Sequence, residues 1–306
     1  MNRLLLTLPA LLVVAACSSE APTSSAVADV LTPRLAVSAT STAVFDNIPA
    51  LLPPNMPSQG YQCCQVAELG DLIELAGTAR RASSATVIMS DWAKHSTYPS
   101  LPAAGFDHPI TLTIYAVNTA DANLPGAVLG TITKTFTIPW RPEHDASCPG
   151  DAWKAGDGNC YNGLATPITF DLKSLTLVLP DKFIYGIAYN TNTWGYNPIG
   201  ANGPYESLNV ALNTVGPTVG TDVDPDAVFV NYAIAGNYTD GGTGGYNIFR
   251  RDTGWSPYSP AVQFTATAVA TTAASCKNGG WQALSRVDGT GFSNQGDCVS
   301  YVQNGK

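Results

Sequence analysis

Two stretches in the middle of the chain alternate between apolar and polar residues with a period of two. Ile110, Leu112, Ile114 and Ala116 interleave with Thr111, Thr113, Tyr115 and Val117, and Ile132, Phe136 and Ile138 interleave with Thr131, Thr133, Thr135 and Thr137. Successive side chains of an extended strand point to opposite faces, so each pattern predicts a strand with one buried face. Between them lie Ala120, Asp121, Ala122, Asn123, Leu124, Pro125 and Gly126, a turn-rich connection that makes the two strands antiparallel neighbours. Further strands are expected over residues 85–92, 166–172, 175–179, 183–189, 207–212, 227–232 and 260–266. No segment between residue 43 and the C-terminus has a convincing helical period; residues 66–76 come nearest, and Gly70 interrupts them. About ten short strands separated by Gly, Pro, Asn and Asp turns predict an all-β fold. The expected architecture is an antiparallel β-sandwich of jelly-roll type over residues 43–268, with a barrel as the alternative.

The N-terminus has a different pattern. Met1, Asn2 and Arg3 precede an apolar run from Leu4 to Ala16, the layout of an export signal. The run falls short of the ~20 apolar residues that a membrane-spanning helix needs. Val14, Ala15, Ala16 and Cys17 resemble the lipobox of bacterial lipoproteins, which implies removal of residues 1–16 and acylation of Cys17. Residues 17–42, rich in Ala, Ser, Thr and Val without a sustained period, are expected to form a flexible stalk between lipid and domain. The expected location is therefore the extracytoplasmic side of the cell envelope, with a membrane as partner through the lipid on Cys17.

Composition narrows the partners. Charged residues are 12% of the chain and the formal net charge is -8, with no Lys/Arg cluster to neutralise phosphates, which argues against nucleic acid. No phosphate loop or dinucleotide fingerprint is present, which argues against a nucleotide.

Beyond Cys17 there are six cysteines, and disulfides persist outside the cytoplasm. Cys148 with Cys160, and Cys276 with Cys298, can each close a local loop. Cys63 and Cys64 are adjacent and could bond each other, stay free or pair elsewhere. Zinc is disfavoured, since no Cys-x-x-Cys spacing occurs and the three histidines are scattered. Residues 269–306 read as a linker and a terminal module too small for a core of its own. A Cys276–Cys298 bridge would then be its main constraint, worth roughly 3 kcal/mol on the chain-entropy model.

The stretch Cys276, Lys277, Asn278, Gly279, Gly280, Trp281, continued by Asn294, Gln295, Gly296, Asp297, Cys298, Val299 and Ser300, resembles a tail found on many exported bacterial proteins of unknown function. The body resembles the usual partner domain of that tail over residues 44–49, 60–62, 70–77, 184–190 and 249–255. The resemblance implies a surface-exposed β-sandwich and transfers no catalytic residue.

Two clusters are candidate sites. Asp222, Asp224 and Asp226 alternate with Val223 and Pro225 in a turn-rich segment, and several carboxylate oxygens from one short loop suit a structural Ca2+. The segment is not an EF-hand, because Ala227 and Ala233 stand where that loop has its glycine and its bidentate glutamate, and a solvated acidic turn is the competing reading. Tyr189, Asn190, Asn192, Trp194, Tyr196 and Asn197, followed by Tyr205, combine flat rings with amide donors and acceptors, chemistry suited to a sugar. The competing reading is aromatic packing over a sandwich end.

Other motifs carry less. Asp252, Thr253 and Gly254 spell the aspartic-protease triplet, but one copy follows Arg250 and Arg251 instead of an apolar strand, so an arginine–aspartate turn is expected. Glu143, His144 and Asp145 are expected in an exposed loop. No Gly-x-Ser-x-Gly occurs, and His95, His108 and His144 show no triad spacing, so no catalytic residue is assigned. The leading expectation is a non-catalytic binding or adhesion module for an extracellular glycan or envelope component. The alternatives are an extracellular hydrolase with paired carboxylates and a structural envelope protein.

Overall fold

A computed structural model describes residues 40–305; Cys17 and most of the expected stalk lie outside the described residues. The strands in chain order are β1 (Thr42–Asp46), β2 (Ser58–Gly60), β3 (Val66–Glu74), β4 (Arg81–Asp91), β5 (Phe106–Val117) and β6 (Pro125–Ile138). A short ladder of β7 (Trp153–Lys154) and β8 (Cys160–Tyr161) follows, then β9 (Leu164–Asp171), β10 (Lys182–Ala188), β11 (Leu208–Asn213), β12 (Thr221–Asp222) and β13 (Ala227–Tyr232). The series ends with β14 (Arg250–Thr253), β15 (Ser259–Pro260), β16 (Val262–Val269) and β17 (Leu284–Ser285).

One sheet has eight strands, with the path β1-β16-β4-β11-β15 and with β9, β2 and β17 paired to its members. The other has seven, with the path β14-β13-β3-β10-β5-β6 and β12 paired to β3. Phe45, Val87, Phe170 and Phe264 from the first sheet and Leu69, Ile110, Leu112 and Phe183 from the second belong to one buried cluster. Phe183 meets Phe264 edge-on at 5.1 Å between ring centroids, and Phe136 meets Phe170 at 4.9 Å. Aromatic contacts across the gap between sheets define an all-β sandwich, built from antiparallel strands.

The period-2 reading holds where one face is solvated. β5 and β6 pair antiparallel with Leu112 opposite Ile132 and Thr111 opposite Thr133, although β6 starts at Pro125, inside the expected connection. The reading fails where both faces are covered. β3 occupies the segment that resembles an interrupted helix, because Leu69 and Ile73 enter the main core while Leu72 packs in a second cluster with Ile184, Phe229 and Phe249. A strand covered on both sides has no alternation to show.

Residues 175–179 do not form the expected strand. Lys173–Leu175 make a 3-10 turn and Thr176 takes a left-handed φ of 48°, which breaks the extended path and leaves Val178 a single bridge to Arg81.

The C-terminal module also departs from expectation. It contains a helix, α1 (Gln295–Asn304), started by the Asn294 side chain accepting from the Asp297 amide at 2.9 Å and stopped by Gly305 at φ 68°. It has a small core of its own, in which Ala270, Leu284 and Phe292 surround Cys276 and Cys298. β17 pairs parallel to the end of β16. The buried Arg81 guanidinium donates to the carbonyls of Val287 and Asp288, tying the module to β4.

Three disulfides are formed among the described residues. Cys148 bonds Cys160 and Cys276 bonds Cys298, as the local spacing predicts, and Cys63 bonds its neighbour Cys64.

Candidate functional site

The outer face of the seven-stranded sheet carries a buried carboxyl group. On β3, Leu69 points inward, so Glu68 points outward, where it stands opposite Ala188 of β10 and Asn231 of β13. Its neighbour on that face, Gly70, stands opposite Gly186 of β10, so two residues without side chains leave a dip across the sheet. The Glu68 carboxyl lies in it: a Cβ on Gly186 would sit 1.9 Å from Glu68 Oε1.

Two phenols clamp this group. The Tyr115 hydroxyl, from β5, donates to Oε1 at 2.9 Å, and the Tyr196 hydroxyl donates to Oε2. The Asn231 side-chain amide donates to the Tyr196 oxygen at 3.3 Å, while Asn231 Oδ1 is buried without a partner among the described residues. Glu68 is 1% exposed, and burial raises its carboxyl above the usual carboxylate range, opposed by the hydrogen bonds from Tyr196 and Tyr115. Burial, with Glu68 adding to it, likewise raises the Tyr115 and Tyr196 phenols, so both keep their protons and donate.

Beside the carboxyl opens a cavity of about 230 Å3. Thr111 and Thr113 of β5 and Thr133 of β6 line it on one side, Asn190, Tyr196 and Asn197 on the other. Thr111 Oγ1 and Thr133 Oγ1 are 2.7 Å apart and share one hydrogen bond. A hydroxyl can donate once and accept twice, so this pair keeps capacity for a ligand. The Tyr196 residue is 59% exposed despite its anchored hydroxyl, which presents the ring to solvent.

The loop after β10 is held by its own polar groups. The Asn190 carboxamide oxygen accepts from the Asn197 amide at 2.8 Å, and the Thr191 backbone amide donates to the Trp194 carbonyl at 2.8 Å. Gln62, from the turn before β3, accepts from Thr191 Oγ1 and from the Thr193 amide. Of the seven residues the sequence singles out, Tyr189, Asn190, Tyr196 and Asn197 line the groove. Tyr189 does so from the core: it is buried, stacks on Tyr61 at 4.0 Å and donates to the Leu208 carbonyl. Asn192, Trp194 and Tyr205 do not line it. Asn192 bonds Asn202, and Tyr205 stacks on His108 and donates to the Ala201 carbonyl. Glu68, Tyr115, Asn231 and the threonines were not singled out; the available signal was an acidic residue inside the apolar run Val66, Ala67, Leu69.

The aspartate triplet does not converge. Asp222 accepts from the Asp224 amide at 3.1 Å, Asp224 pairs with Arg251, and Asp226 accepts from the Gly254 amide at 3.4 Å. Among the described residues, no group of three or more His, Cys, Asp or Glu side chains is placed to hold a metal ion. The expected arginine–aspartate turn is also rearranged. Arg250 pairs with Asp240 and Arg251 with Asp224, whereas Asp252 accepts from Thr239 and from the Trp255 indole. Glu143 accepts from Ser96, and Asp145 from Ser147 in its own exposed loop.

No protein-family model, curated protein or solved structure gives a significant match to this chain.

Proposed function

We propose that this chain is an exported, lipid-anchored surface protein whose β-sandwich binds a glycan in the Glu68 groove without transforming it. The observation that carries the reading is the Glu68 carboxyl, buried beneath two phenols at the floor of a cavity lined by hydroxyls and amides. Sugars present hydroxyls that both donate and accept, together with flat C–H faces. The threonine and asparagine side chains answer the first, and the exposed Tyr196 ring answers the second. The groove is below the ~300–1,000 Å3 of sites for drug-sized ligands, which suits one ring at the end or edge of a longer chain.

Glu68 is the one acidic residue among those lining the groove. Most glycoside hydrolases need two carboxyl groups roughly 5–10 Å apart across the scissile bond, so the lining supports binding over hydrolysis. The N-terminal run ending at Val14, Ala15, Ala16 and Cys17 supports export and lipid anchoring.

The test is a glycan array followed by calorimetry on the best hits. Binding lost in Tyr196→Ala and kept in Trp194→Ala supports the groove. No saturable binding to cell-wall, plant or host glycans would remove the reading.

A further inference from the structure

A second cavity of about 340 Å3 shares no lining residue with the Glu68 groove. Its lining includes the Cys63–Cys64 disulfide, Trp92, Glu206, Gln59 and Asn209. Sheet register brings these together. Gly60 of β2 pairs with Asn209 of β11, and the Trp92 amide donates to the Ser207 carbonyl at 3.0 Å, next to Glu206.

The apolar side of this hollow is fixed in place. Cys63 is exposed, and its Sγ lies over Gly60, where a Cβ would be 2.6 Å away. Cys64 packs against the main core. The Trp92 residue is 42% exposed, and its indole Nε1 donates to Ser90 Oγ at 3.1 Å, which orients the ring. Sulfur and indole are both polarizable surfaces that favour C–H groups, and an indole face also attracts cations.

The polar side is unbalanced. Glu206 Oε1 is buried and has no hydrogen-bond partner among the described residues, a costly state for an acceptor. No Lys, Arg or His lines the cavity, so nothing in the lining compensates the carboxylate. We infer that this hollow binds a small primary ammonium compound. Its ammonium group donates to Glu206, and its alkyl stem lies between Trp92 and the disulfide. A neutral polyol would supply a donor but leave the charge uncompensated.

The experiment is calorimetric titration of the oxidised full chain with n-butylammonium chloride, with n-butanol and glucose as neutral comparisons. Saturable binding of butylammonium alone is expected. Glu206→Gln, which keeps shape and removes charge, should weaken it about tenfold or more, the scale of one charged hydrogen bond. Trp92→Phe should weaken it severalfold, and Tyr196→Ala should leave it unchanged, which separates this site from the glycan groove. Absence of saturable heat, equal or tighter binding of butanol or glucose, or unchanged affinity in a folded Glu206→Gln chain would each overturn the assignment. Should Glu206→Gln fail to fold, unchanged affinity in Trp92→Phe would do the same.

Discussion

Gly186 stands directly beneath the Glu68 carboxyl, so close that a single added carbon would lie 1.9 Å from Oε1. Gly186→Ala must therefore push the carboxyl off its seat and break its hydrogen bond with Tyr115. We expect a stability loss of about 1–3 kcal/mol, the range for a buried polar group left without its partner. Glycan binding should be lost with it. Urea unfolding and calorimetry on the same variant check both, and unchanged values in both would show that the carboxyl is not seated as described.

His108 predicts the response to acid. It is 1% exposed, stacks on Tyr205 at 5.2 Å, and has Nε2 buried without a partner among the described residues. Burial lowers its imidazole to about 4, against a hydrogen bond with the Asn190 backbone that acts the other way. A base lowered in the folded state is held neutral, so the unfolded chain binds more protons. Its contribution is complete above the ordinary histidine value and is lost as pH falls through about 4. The wild-type chain should lose stability relative to His108→Gln between about pH 6.5 and pH 4. Thermal melts of both chains across that range test the slope, and parallel curves would sink the account.

The tail module should come apart before the sandwich. Its core is small and depends on the Cys276–Cys298 bridge, whose removal costs on the order of 3 kcal/mol for a loop of this length. Asn294→Ala should cost the α1 helix about 1 kcal/mol, the usual value of an N-cap. Hydrogen exchange should show residues 295–304 opening in a Cys276→Ser, Cys298→Ser chain while β3 and β10 stay protected. Equal loss of protection in both regions would mean that the module and the sandwich unfold as one unit.

Lipid attachment has a direct assay. Expressed in a lipoprotein-processing bacterium with labelled palmitate, the chain should take up label at Cys17 and partition into detergent. Cys17→Ser should do neither, and label retained in that variant would refute anchoring at this position.

The parts of the fold legible from sequence are those where one face meets water. The β5 and β6 threonines alternate with core residues, and that contrast is the signal. β3 hides because Leu69 and Leu72 both find apolar partners on opposite sides of it, and the α1 helix hides because it is short and its face toward the module core is slight. The site divides the same way. Asn190, Tyr196 and Asn197 share one loop and could be read together, whereas Glu68, Tyr115 and Asn231 come from three strands and meet only through register.

The docking of β17 on the last residues of β16 decides what covers that strand end. β16 runs on to Val269, past Ala266 opposite β1 and Thr267 opposite β4, so among the described residues its final residues extend beyond the ladders with both neighbours. A projecting strand end is a template for a strand from another molecule. Leu284 and Ser285 occupy it instead. The C-terminal module thus covers backbone groups at the end of β16 that would otherwise be open to strand addition.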